Sequence, residues 1–324
     1  MELWLLTIPV ILLILLKVYL KMMAGVCKSD KSMEGKVVII TGANSGIGFQ
    51  TALELAKRKA KVIMACRSVE RAQKAAEKII KSSGNRNVIV QQLDLSSLKS
   101  VREFASRIVS SEQRLDVLIN NAGATPTPGL HLTEDKLELQ FAINHFGHFL
   151  LTNLLLDLLK KSAPSRIIVV SSITHLWAKL DLDNLNCEKY VRDPYWIYCS
   201  TKLANLLFVR ELAKRLDSTN VTVNALHPGG VRTRIARNAR WFIKYIIVPI
   251  VYPFLKTAKS GAQTTIHLAV SDEVENISGE YFVDCEKYWT SRSAKDDEKA
   301  RKLWELSEKL TGMSAKESAF PQIS

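Results

Sequence analysis

The run KVVIIT (Lys36–Thr41) is apolar on both of its faces and opens directly into the glycine-rich stretch GANSGIG. A strand with two apolar faces must be covered on both sides, which is the situation of an interior strand in a parallel sheet flanked by helices. The pattern recurs along the chain. Lys61–Ala65, Asn87–Leu93, Leu115–Asn120, Arg166–Ser171, Val221–Leu226 and Tyr281–Val283 read as further strands. Gly46–Arg58, Ser68–Lys81, Leu98–Ser110 and the long apolar stretch Glu134–Lys161 read as helices between them. This alternation predicts an α/β fold, a doubly wound parallel sheet with helices on both faces. With 324 residues, 47% of them hydrophobic, one such domain has ample core.

The N-terminus reads differently. Leu3–Leu20 is almost wholly apolar, broken by Thr7, Pro9 and Lys17, and as a helix spans about 27 Å at roughly 1.5 Å per residue. That matches a thin bilayer, and the missing basic n-region and cleavage site argue against a signal peptide. The expectation is a retained membrane anchor helix. Lys17, Lys21, Lys28 and Lys31 follow it, so the positive-inside rule puts the remainder in the cytosol. The sequons at Asn220 and Asn276 would then stay unused. The predicted organisation is a single-pass anchor (1–23), a short polar linker (24–35), the sheet domain (36–290) and a C-terminal helical extension (291–324) in which Lys295–Leu310 is amphipathic.

A net charge of +13 invites a nucleic-acid reading, but the basic residues are mixed with acids and form no tract. No nucleic-acid partner is expected; anionic lipid headgroups suit this surface better. Cys27, Cys66, Cys187, Cys199 and Cys285 form no CxxC pair, so no metal site is expected, and their sparseness suits a reducing compartment.

Between its strand and helix, TGANSGIG places glycines at Gly42, Gly46 and Gly48. Glycine lets the backbone turn tightly and approach a pyrophosphate, which a helix N-terminus favours. Gly42, Asn44, Ser45, Gly46, Ile47 and Gly48 are therefore candidates for holding a dinucleotide. The second strand ends in MACRS, with Arg67 where an NAD site carries an acid. The planar guanidinium suits a 2′-phosphate, so the expected cofactor is NADP(H). Asp94 in QLDLSS is read as an acceptor for the adenine amino group, as a cap for the next helix, or as both.

Tyr198 and Lys202, in YCSTK, lie four residues apart and share a helical face. A free tyrosine, with a pKa of about 10, exchanges protons poorly near neutrality; a lysine ammonium and the positive charge of an oxidised nicotinamide would both favour its phenolate. Tyr198 is the candidate proton donor and acceptor, and Lys202 also the holder of a cofactor ribose. Ser172 ends a buried strand at the sheet edge where ligands bind, with Ser171 as the competing choice.

TGxxxGxG, NNAG (Asn120–Gly123), a strand-end serine, YxxxK and Pro228–Gly229 occur here in the order found in the short-chain dehydrogenase/reductase family, which residues 36 to 285 resemble. The resemblance implies a Rossmann-type fold and a catalytic tetrad of Asn144, Ser172, Tyr198 and Lys202. In it Asn144 supports a water-mediated proton relay to Lys202. It also implies cofactor contacts from Asn121, Ala122, Gly123, Pro228, Gly229, Val231 and Thr233, besides Tyr198 and Lys202 themselves. MACRS, NHFGHFLLT, YCSTKLAN, HPGGVRT, DDEKARKLWELSEKL and the anchor look like the retinol dehydrogenase branch. That branch implies an NADP(H)-dependent enzyme of the endoplasmic reticulum membrane, with a lipid droplet as the alternative site, acting on retinol, retinal or other apolar alcohols and carbonyls. Homodimers through the motif-bearing helices are common in the family. Two departures stand out: the interval from Ser172 to Tyr198 is longer than the family's usual one, and VVSS lacks the Asn often found before the serine pair.

The apolar segment 241–255 is short for a second span and carries Lys244 and two prolines. A core helix and a substrate lid dipping into the membrane interface are both compatible with it. His145, His148, His175 and His227 lack metal spacing and read as packed or surface residues. The competing functions are the same chemistry on steroid or lipid-derived carbonyls, and a non-catalytic lipid-binding protein on this fold. The intact Asn144, Ser172, Tyr198 and Lys202 argue against the latter.

Overall fold

A computed structural model describes residues 15, 17–19, 21–232, 252–315, 317 and 320. The strands are β1 (Val37–Thr41), β2 (Lys61–Cys66), β3 (Val88–Gln92), β4 (Val117–Asn120), β5 (Ser165–Val170), β6 (Val221–His227), β7 (Tyr281–Val283) and β8 (Glu286–Lys287). They form one sheet in the order β3-β2-β1-β4-β5-β6-β7-β8. All neighbours through β7 pair parallel, and only β8 returns antiparallel. The order reverses between β1 and β4, so a crevice opens there at the carboxyl edge.

The main helices are α1 (Gly46–Lys57), α2 (Val69–Ser83), α3 (Leu98–Ser111), α4 (Gly147–Lys161), α5 (Pro194–Arg215), α6 (Gln263–Val270) and α7 (Asp297–Thr311). Alternation along each strand divides the core. Val38 and Ile40 of β1 pack with Leu55, Ile79 and Ile266 beneath α1, α2 and α6. Val37 and Ile39 face the other layer, with Phe104, Phe149, Leu207 and Trp304 from α3, α4, α5 and α7. The sheet is thus sandwiched, as the doubly apolar strands required.

Two expected elements differ. The predicted helix Glu134–Lys161 is shorter and broken: a turn at Leu139–Phe141, a π-helical stretch Ala142–Phe146, then α4. The Glu138 carboxylate accepts the Phe141 N–H at 2.8 Å and starts the helix there, while residues before it form a loop closed by a bridge between Leu132 and Glu138. The polar linker is not free either, since Gly25, Cys27 and Lys31 hydrogen-bond Asp284, Gln263 and Asp272. The apolar N-terminal run lies mostly outside the described residues, as do residues 233–251 and therefore Thr233. Among the described residues no helix is long and apolar enough to cross a membrane.

Candidate active site

Gly42 follows β1 at φ +67°, in the left-handed region, and donates its N–H to Ala65 O at 2.8 Å. A methyl group added at Gly48 would sit 2.6 Å from both Gly42 O and Asn121 Nδ2, so α1 closes on the turn only without a side chain there. Ser45 holds the N-cap position of α1 in extended backbone, yet its hydroxyl caps nothing, and the first turn carries no acid. The next two helices contrast with it: Ser68 accepts the Arg71 N–H, and Ser97 accepts the Ser100 N–H. The leading N–H groups of α1 are left to an outside acceptor, and the helix dipole favours an anion there. These residues fit a pyrophosphate-bearing cofactor. Arg67 stands exposed just past β2, and the Cys66 sulfur is tucked against the Ala43 and Asn44 backbone beneath the turn.

Asp94 is not the cap of α3, which is Ser97. Its carboxylate instead accepts the Ser96 N–H at 3.0 Å and the Ser96 hydroxyl at 2.6 Å, ordering the loop after β3. Across the crevice, the Asn121 and Ala122 N–H groups both donate to Thr41 Oγ1 at 2.9 Å, and Asn121 Nδ2 donates to Thr41 O at 2.8 Å. The ends of β1 and β4 are therefore tied together. Thr41 Oγ1 also lies 3.4 Å from Ile119 O and 2.9 Å from His148 Nε2, and His148 Nδ1 lies 3.4 Å from Asn144 O. Burial depresses the His148 pKa to about 3 and keeps the ring neutral.

The two serines at the end of β5 separate cleanly. Ser171 Oγ donates to Lys202 O at 2.7 Å, fastening α5 to the sheet. Ser172 Oγ turns the other way, where it accepts the Thr174 N–H at 3.2 Å and faces the Tyr198 hydroxyl. Only Ser172 therefore presents its hydroxyl beside the tyrosine. The long interval between them is a folded excursion, whose Lys179 O accepts from both Arg192 Nη1 and Ser200 Oγ. His175 lies beneath Ser172, with its Nδ1 2.8 Å from Ser172 O.

Lys202 is one turn from Tyr198 and 4% exposed, with Nζ 3.1 Å from Val170 O and 5.6 Å from the Tyr198 ring centroid. Burial lowers its pKa to about 8. Burial also pushes the Tyr198 hydroxyl up to about 12, the Ser172 hydroxyl opposing it. In the protein without cofactor, desolvation is therefore the largest influence on Tyr198, and Lys202 is not among the groups that lower it.

Asn144 lies in the π-helical stretch, where the widened turn breaks the regular i, i+4 ladder. Its side chain accepts the Ala124 N–H at 2.6 Å and donates to Thr201 Oγ1 at 3.0 Å, bracing the β4 loop against α5. Gly123 lies between Asn144 and Lys202; a methyl group there would be 3.5 Å from Asn144 Oδ1 and 3.8 Å from Lys202 Nζ. On the far wall, Gly229 takes φ +84° after Pro228, and Val231 pairs with Lys256. Sequence reasoning gives Thr41 and Lys256 no role at the site and takes His148 and His175 only as packed or surface residues. Thr41 opens the glycine motif and His148 stands four residues from Asn144, which was the only signal available for either.

Comparison with known proteins places this architecture. A sequence model of the short chain dehydrogenases matches residues 36–182 and 186–242. The chain belongs to the short-chain dehydrogenase family. Human retinol dehydrogenase 13 is 46% identical over 306 residues, covering 93% of this chain and 92% of that protein. Human retinol dehydrogenase 14 is 49% identical over 296 residues, 87% of this chain and 88% of that one. Among solved structures, an uncharacterized Mycobacterium paratuberculosis protein superposes with a TM-score of 0.73 at 37% identity, covering 89% of this chain and 98% of that one. A Shigella flexneri short chain dehydrogenase complexed with NADP gives 0.63 at 25% identity, covering 80% and 100%. The protein is thus an oxidoreductase of this family's retinol dehydrogenase branch, with a nicotinamide cofactor.

Proposed function

We propose that this protein is an NADP(H)-dependent oxidoreductase interconverting apolar alcohols and carbonyls, with retinol and retinal as its substrates. The observation that carries the reading is the pair of hydroxyls, Ser172 and Tyr198, facing each other at the carboxyl edge with Lys202 one turn behind. The bound nicotinamide supplies or accepts hydride. Ser172 orients the substrate oxygen, and Tyr198 Oη passes its proton to that oxygen in reduction and recovers it in oxidation. Lys202 holds the ribose and supplies a cation near the phenol. The main chain at Asn144 holds the water through which the proton is replaced. The uncapped N-terminus of α1 receives the pyrophosphate, and Arg67 the 2′-phosphate. Asp94, Asn121, Ala122, Gly123, Pro228, Gly229, Val231 and Thr233 complete the cofactor contacts.

The apolar N-terminal run supports a single-pass anchor in the endoplasmic reticulum membrane with the catalytic domain in the cytosol. A lipid-dissolved substrate fits that placement. The test is NADPH oxidation by detergent-solubilised full-length protein given all-trans-retinal, with NADH in parallel. Turnover with NADPH and not NADH is expected, and Tyr198→Phe is expected to abolish turnover while retaining NADPH binding. Turnover surviving that substitution would sink the mechanism; binding without turnover on retinal would move the substrate to steroid or lipid-derived carbonyls.

A further inference from the structure

The cofactor-side turn after β6 is held from outside by a chain of contacts that ends on the N-terminal linker. Gly229 is left-handed, and Lys256 lies across it: a methyl group at Gly229 would be 2.8 Å from Lys256 Cδ and 3.0 Å from Nζ. Backbone pairing fixes the same lysine. Lys256 N donates to Gly230 O at 2.8 Å, and Arg232 N donates to Lys256 O at 2.9 Å. The ammonium ends on Asp284, an ion pair with side chains only 18% and 33% exposed.

Asp284 and Cys285 form the two-residue turn between β7 and β8, with φ of +53° and +67°. Both conformations are sparsely populated by residues other than glycine, and such strain persists only where the surroundings enforce it. The surroundings here are specific. The Asp284 carboxylate accepts the Gly25 N–H at 3.0 Å as well as the lysine, and a methyl group at Gly25 would fall 1.9 Å from Asp284 O. Cys27 N and Cys285 N fasten the two strands of this contact to Gln263 and Thr264 of α6. Further along the same wall, Val231 packs on Gly261, where a methyl group would meet it at 2.5 Å and Ile47 of α1 at 3.5 Å.

We infer that Asp284 is a positioning residue for the nicotinamide-side wall, and that residues 25–27 are part of the catalytic unit as its second point of support. The inference rests on the cofactor reading above for its kinetic consequence, but its structural consequence stands apart from it. Asp284→Asn removes the charge while keeping a residue tolerant of the left-handed turn. Hydrogen exchange is measured on the cofactor-free full chain, where the Arg232 amide is expected to exchange about tenfold faster in the variant, a loss of roughly 1.4 kcal/mol of local protection. NADPH affinity, titrated by nucleotide fluorescence at a temperature where both proteins are folded, is expected to weaken about five- to tenfold with kcat little changed. Gly25→Pro in the full chain removes the N–H that Asp284 accepts; it should weaken NADPH binding similarly, and combining it with Asp284→Asn should add little, because both act through one node. Cys285→Gly relieves the turn without touching the ion pair and should leave NADPH affinity at the wild-type value. Unchanged Arg232 exchange in Asp284→Asn overturns the positioning role whatever the cofactor. Faster exchange with unchanged NADPH affinity overturns its link to the cofactor wall. Fully additive effects overturn the shared node.

Discussion

Lys202 carries a cost that its removal should reveal. Its ammonium is buried at the base of the crevice, and burial lowers its pKa from 10.5 to about 8. Because the folded value lies below the unfolded one, the charged, folded state is penalised fully below about pH 8. The penalty disappears as the pH rises from there through 10.5. At about 1.4 kcal/mol per unit, the difference corresponds to a burden on the order of 3 kcal/mol at neutral pH. Lys202→Met fills the same channel with an uncharged chain. The main loss is the bond to Val170 O, and that carbonyl keeps Asn205 Nδ2 at 3.4 Å, so the offset is about 1 kcal/mol. The cofactor-free variant should therefore be more stable than the wild type by about 2 kcal/mol at pH 7, read by urea unfolding in detergent. The difference should shrink between pH 8 and pH 10, since titrations elsewhere are common to both proteins and cancel. The variant should be inactive throughout. A variant less stable at pH 7, or a difference that is the same at pH 7 and pH 10, would refute the reasoning.

Gly48→Ala forces a methyl group to 2.6 Å from the Gly42 carbonyl, and backbone cannot swing aside. It should cost about 1–3 kcal/mol in thermal stability and abolish NADPH binding by fluorescence titration. Trp304→Ala removes a fully buried indole from between Phe149 and Phe208. It should cost about 3–5 kcal/mol in denaturant unfolding while leaving the KM for NADPH near the wild-type value.

The sheet was readable because its strands are apolar on both faces and bounded by glycine or polar turns; β1, β2, β6 and β7 begin and end within a residue of the sequence reading. The helix into α4 was not, because apolar periodicity cannot register a π-helical insertion: Asn144 and His145 continue the pattern while the hydrogen-bond ladder shifts beneath them. Of the serine pair, both hydroxyls look equivalent in VVSS, and only the pleat decides that one faces the backbone of α5 and the other the crevice. The Tyr198 acidity in the cofactor-free protein was hidden for a related reason. Spacing shows that a cation is near but says nothing of how deeply both groups are buried. The docked linker left no trace in composition, since Gly25 contributes only an N–H and the absence of a side chain.

The C-terminal helix changes what α5 shows to solvent. Along the outer face of α5, Asp297 takes both Arg210 and Lys214, and the Arg215 guanidinium lies 4.3 Å from the Trp304 ring centroid. That face is covered by the chain's own C-terminal extension. α7 is in effect a tethered partner, present at an effective concentration no free subunit can match.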